Sequence, residues 1–211
     1  MRNPFRYDDD VTLTRKGQAT RERILEAAVE LIGRRGVSGI STEDVRKAAG
    51  ISGSQLYHYF DSKQALIRAV ITRQAEAPLV PGQPIMGALD SFDALRAWAD
   101  AAVEHQEHNS GRGECTLTSL AGELGPADEQ TREDLCNGFQ RWQSLVHDGL
   151  RAMRDRGDLR PGADLDELSM ALLAALQGGA LLSQTLRTAE PMRASMNAAL
   201  AYVHSFTRPS T

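Results

Sequence analysis

The chain has 211 residues, 41% apolar and 25% charged, a balance that supplies folded cores and excludes a disordered or fibrous polymer. Net charge is −4, but unevenly held: residues 1–73 carry 13 Lys or Arg against 9 Asp or Glu, and residues 74–211 carry 11 against 19. A basic head can approach phosphate while an acidic body is repelled, so a duplex is expected to meet only the N-terminal part. Two cysteines, Cys115 and Cys136, are too few for a disulfide scaffold, and the start MRNPFRYDDD lacks an apolar signal core. The apolar stretch from Met170 to Leu182 is broken by Gln177 and two glycines and is shorter than the roughly 20 residues of a membrane span. A cytoplasmic protein with no membrane partner is expected.

Residues 1–17 have no apolar period and read as a flexible tail, with a basic arm into the minor groove as the alternative. A first helix is predicted over about 18–35, with Ile24, Ala27, Ala28, Leu31 and Ile32 on one face. Ser41 stands three residues before Asp44 and caps a helix over 42–49, which Gly50 stops. Ser52 and Gln55 form a second capping box, starting a helix over 53–60. In that helix Leu56 and Phe60 fall on the inner face, leaving Ser54, Gln55, Tyr57, His58 and Tyr59 outside. Two short helices about a Gly-centred turn make a helix-turn-helix, whose exposed hydroxyl, amide and imidazole groups suit phosphates and base edges in a major groove.

Asp61 and Gln64 frame the cap of a helix over 62–77, and Pro78, Pro81, Gly82 and Pro84 then mark the seam between a DNA-binding domain, 18–77, and a second domain, 85–208. Further helices are predicted at about 91–109, 116–124, 128–156, 164–187 and 190–206, with no convincing strand, so the fold class is all-α.

The first helix face, Gly36, the AAGIS turn, LYHYF and Lys63 followed by Leu66 together resemble the DNA-binding domain of the TetR family of bacterial transcriptional regulators. Arg46 and Lys47 stand where that family often has an Ile-Ala pair, which makes the second helix more basic. The resemblance implies phosphate contacts from Ser41, Thr42 and Lys63. It places Gln55, Tyr57 and His58 at the duplex, Tyr59 beside them, and Ser52 and Ser54 near the backbone. It further implies a homodimer on a double-stranded, palindromic operator, and a repressor released by a small apolar or aromatic effector. A transcriptional activator, or a broad-specificity DNA-binding protein with the same head, is the alternative. A metal-assisted enzyme is the more distant one, since the chain has no Gly-rich phosphate loop, nucleophile elbow or HExxH.

The stretch Gly113 to Leu124, followed by Phe139 and Trp142, is similar to the C-terminal region of the LmrA/YxaF-like branch of that family, whose members sense small aromatic or drug-like molecules. Trp98, Leu117, Phe139, Trp142, Leu145 and Val146 are candidate apolar walls of a pocket, with His105, Cys115 and Gln177 among its polar groups. The leucine-rich stripe of the penultimate helix is too broad for one internal face. Following the family's four-helix dimer bundle, the expected interface is Leu172, Leu176, Gly178, Gly179, Leu182, Met196, Leu200 and Val203. His105 and His108 share a helix face but lack further ligands, so no metal and no cofactor is expected.

Overall fold

The computed structural model describes residues 13–76, 88–108, 116–124 and 128–207. Among them every extended regular element is a helix: α1 (Arg15–Arg35), α2 (Thr42–Ala49), α3 (Gly53–Tyr59), α4 (Lys63–Glu76), α5 (Phe92–His108), α6 (Thr116–Leu124), α7 (Glu129–Arg156), α8 (Leu165–Leu186) and α9 (Glu190–His204). The one β-type pairing in these residues is an isolated bridge between Leu159 and Thr207. The tail expected over 1–17 lies mostly outside the described residues. Its last part differs from expectation, because Thr14 caps α1 by accepting from the Gly17 amide at 3.2 Å and so starts the helix at Arg15.

The helices form two compact units that divide between Val70 and Ile71, within α4. The proline-rich stretch 78–84 expected as the seam lies outside the described residues. The last turn of α4 falls to the second unit because α7 holds it there. The Trp142 indole Nε1 donates to the Ala75 carbonyl at 2.9 Å, and Arg141 lies 3.5 Å from Glu76.

In the first unit α1 turns Ile24, Leu25, Ala28 and Ile32 inward, where they join Val45, Ile51, Leu56, Phe60, Leu66 and Val70. Burial of these side chains, at roughly 1.5–3 kcal/mol each, outweighs the weak intrinsic stability of such short helices. The α4 cap comes from Ser62, whose hydroxyl accepts from the Ala65 amide at 3.0 Å, rather than from Asp61. A shorter serine side chain one residue later makes the same bond.

In the second unit α8 and α9 pack along each other, α7 packs on α8, α5 on α9 and α8, and α6 on α7 and α8. Their contiguous core runs through Leu95, Trp98, Val146, Leu150, Leu168, Leu172, Met196, Leu200 and Val203. α8 is long and apolar enough to span a bilayer by length and composition alone. The sequence pattern concealed this, because Gln177 and the two glycines interrupt the apolar run without ending the helix. In this fold α8 is the central strut of the second unit.

Candidate functional site

The geometry of the first unit is set by two capping boxes and one left-handed glycine. Ser41 Oγ accepts from the Asp44 amide at 3.1 Å while Asp44 Oδ2 accepts from the Ser41 amide at 2.8 Å. The Ser41 hydroxyl and amide are also what hold the Asp44 carboxyl below its usual range. Ser52 and Gln55 repeat the device, at 3.2 Å from the Gln55 amide to Ser52 Oγ and 2.9 Å from the Ser52 amide to Gln55 Oε1. Between the boxes Gly50 adopts φ 64°, ψ 40°, and the amides of Gly50 and Ile51 close onto the Lys47 and Arg46 carbonyls, both at 3.2 Å.

Arg46 braces the same turn. Its guanidinium forks onto Glu43 at 2.7 and 2.6 Å and donates through Nη1 to the Ile51 carbonyl at 3.0 Å. The hydrogen bond from Arg46 is the main reason that the Glu43 carboxyl is lowered to about 2. The basic substitution seen in the second helix therefore has a structural use: it ties α2 to the turn that aims α3.

On α3 the expected division of faces is present. Leu56 and Phe60 are buried, with the Arg21 guanidinium 5.5 Å above the Phe60 ring. Tyr57 is 62% exposed, and Ser52, Ser54, Gln55 and His58 are exposed as well. Tyr59 is half-buried and meets the His58 ring edge-on at 5.0 Å. Ser41 is exposed and Thr42 half-buried at the start of α2. Lys63 differs in emphasis from the expectation: its ammonium donates to the Val37 and Ile40 carbonyls at 2.8 and 2.6 Å, committing two of its three protons inside the unit.

The comparisons with known proteins divide the chain as the fold does. Residues 24–70 match the profile of bacterial regulatory proteins of the tetR family, and residues 91–199 that of the tetracyclin repressor-like C-terminal domain. The chain belongs to the TetR family. This TetR-family chain is 41% identical to the HTH-type transcriptional regulator UidR of Escherichia coli K12, over 77% of its own length and 81% of that protein's. It is 26% identical to the HTH-type transcriptional repressor DhaR of Mycobacterium sp. GP1, over 82% of its length and 86% of the relative's. Among solved structures, a TetR transcriptional regulator from Chloroflexus aurantiacus superposes with a TM-score of 0.74 at 24% identity, covering 93% of this chain and all of the other. The reduced form of E. coli NemR does so with a TM-score of 0.74 at 23% identity, covering 92% and all. This TetR-family chain is thus a DNA-binding transcriptional regulator of bacterial type, in a family whose members bind DNA operators and act as dimers.

The second unit of the TetR-family chain brings some expected pocket residues together and moves others away. Trp98, Leu117, Trp142 and Val146 are buried, and Phe139 and Leu145 are half-buried. Phe139 packs edge-on against Trp142 at 6.1 Å. Gln177 on α8 accepts a hydrogen bond from the Thr118 hydroxyl of α6. His105 does not belong to the set, because its position on α5 faces solvent. Cys115 lies outside the described residues, as do Gly113 and Glu114 at the start of the stretch that carried the narrower LmrA/YxaF-like likeness. Val146, like Trp98, belongs to the contiguous core. Sequence reasoning passed over Gln106, which α5 buries to 3% exposure. Its only sequence signal was a place one turn after Ala102 on the buried face, hidden among polar neighbours.

The dimer expectation needs the largest correction. Leu172, Gly179, Met196, Leu200 and Val203 are buried within one chain, on the seam where α8 meets α9. Leu176 is half-buried against the same core. An apolar period marks a buried face but does not say whose helix covers it, and here the chain's own α9 does. Only Gly178 and Leu182 of the expected set are exposed. The apolar side chains that do face out are Met170, Leu181, Leu182 and Leu186 on α8 and Tyr202 on α9. Tyr202 donates to Glu167 at 2.6 Å, a bond that raises the phenol's titration point.

Proposed function

We propose that two copies of this chain bind a palindromic operator as a repressor, with one α3 in each of two successive major grooves, about 34–36 Å apart. The observation that carries this reading is the division of α3: Leu56 and Phe60 anchor it, while Tyr57, His58 and Gln55 stand exposed on a helix fixed at its start by the Ser52 cap. Ser41, Thr42, Ser52 and Ser54 would take phosphates, with the remaining proton of Lys63. The name of the Mycobacterium relative, a transcriptional repressor, supports repression as the sign.

The copies would join through the exposed face of α8, where Met170, Leu181, Leu182 and Leu186 are between 49% and 62% accessible in the single chain. Four large apolar side chains left this open on one helix call for a covering partner. A second copy is the occupant that the family's dimeric habit supports. The second unit would hold a small-molecule effector among α5, α6, α7 and α8, releasing the operator from a protein that works in the cytoplasm.

The test is operator binding by the full chain, with the duplex chosen by selection from a random pool. Tyr57→Ala and His58→Ala should each weaken binding about 10- to 100-fold, since a base-edge contact is worth roughly 1–3 kcal/mol. Both residues are exposed, so the melting temperature should stay within a degree or two. Unchanged affinity in the double variant would overturn the reading.

A further inference from the structure

Two polar atoms on α5 are fully buried without a hydrogen-bond partner: the indole Nε1–H of Trp98 and the carboxamide oxygen of Gln106. Both residues are 3% exposed. Buried polar groups are nearly always paired, because an unpaired one forfeits its hydration and receives nothing in return. Four other buried polar residues of the second unit are paired. Trp142 donates its indole proton to the Ala75 carbonyl, Thr131 bonds Asp128, Ser169 bonds the Asp166 carbonyl, and Ser183 accepts from the Met192 amide.

The setting of the two atoms is also unlike the rest of the core. α5 leans on α9 and α8, and α6 leans on α7 and α8, so α8 is the shared floor between α5 and α6. Trp98 belongs to the contiguous core, whereas Leu117 and Leu120 on α6, Trp142 on α7 and Leu173 on α8 are buried apart from it.

We propose that Trp98 Nε1 and Gln106 Oε1 are the polar anchors of the effector site, in the groove between α5 and α6. The effector is then a small molecule with an apolar body that bears a hydrogen-bond acceptor for the indole and a separate donor, a hydroxyl or amide, for the carboxamide. Eight residues along a helix are about 12 Å of rise, so the two groups sit at different positions on the ligand. A pure hydrocarbon would leave both anchors unpaired and bind poorly. This inference rests on reading the second unit as the effector domain.

The experiment uses the full chain and two variants: Gln106→Met keeps bulk and removes the carboxamide, and Trp98→Phe removes the indole N–H together with part of the ring. The probes are a panel of uncharged aromatic alcohols and amides running from benzyl alcohol to 4-(3-hydroxypropyl)phenol. The chain has two tryptophans, so its two indole N–H resonances can be followed by NMR. The Trp98 resonance should shift downfield with a panel member while that of Trp142, already bonded, stays near its place. Each variant should weaken binding of that probe about tenfold. Without probe, Gln106→Met should melt at the same temperature as the parent or higher, because no partner is lost, whereas Trp98→Phe carries the cost of its cavity. A fall of several degrees in Gln106→Met, as a structural water would produce, overturns the proposal, and so does a Trp98 resonance that no panel member moves. Operator binding by the same samples separates the two readings. Variants that still bind the selected duplex and hold the probe as tightly as the parent count against the anchors alone, whereas a probe that binds without releasing DNA leaves the anchors standing and removes the effector role.

Discussion

At the residue scale, the turn of the DNA-binding unit depends on Gly50 and on the cluster around Arg46. An added Cβ at Gly50 meets nothing within 4 Å, so the whole cost of Gly50→Ala is its φ of +64°. That backbone conformation costs a non-glycine residue roughly 1–2 kcal/mol. Chemical denaturation should show a loss of that size, and operator affinity should fall with it, because the turn aims α3. Glu43 offers a test by pH. Its folded carboxyl titrates at about 2 rather than the usual 4.5, so its contribution is complete above 4.5 and is lost as pH falls towards 2. The stability difference between the parent and Glu43→Gln should therefore shrink across that window. It should also shrink in high salt, because the pair is exposed and screened. A difference that stays constant with pH would remove Arg46 as a brace.

At the scale of the element, α8 is apolar beyond the side that its own chain covers. Leu165, Leu168, Leu172, Gly179 and Ser183 face the chain's own core, and Met170, Leu181, Leu182 and Leu186 face out. This double character gives the helix a membrane-like hydropathy inside a helical bundle, since a helix apolar all round is normally covered on every side. Its crossing with α9 is tight at Gly179, where an added Cβ would stand 2.9 Å from the Met192 Cα. Backbone cannot step aside as a flexible side chain can, so Gly179→Ala should cost roughly 1–3 kcal/mol by overpacking. Gly178, next to it, meets nothing, and the contrast between the neighbours shows that the crossing is made by one glycine of the pair.

For the whole molecule, the proposed interface on the exposed side of α8 can be tested through the oligomeric state. Leu182→Glu with Leu186→Glu should leave a folded monomer in sedimentation velocity, because both side chains are more than half exposed in the single chain. Operator affinity should then fall by two or more orders of magnitude, since the two half-sites would be bound separately instead of through one linked dimer. A variant that remains dimeric would place the interface elsewhere.

How much could be read beforehand follows from the range of the interactions concerned. The capping boxes at Ser41 and Ser52, the stop at Gly50, the burial of Leu56 and Phe60 and the exposure of Tyr57 and His58 were all determined by the sequence, because each depends on residues within one or two helical turns. Tertiary packing alone decided that Lys63 turns to the Val37 and Ile40 carbonyls, that α7 captures the end of α4, and that His105 faces solvent while Gln106 beside it is buried. It also decided which side of α8 is covered by α9 and which is left open. A helical period fixes the faces of a helix but not the identity of its neighbour, and that identity arises only when segments far apart in the chain compete for the same apolar surface.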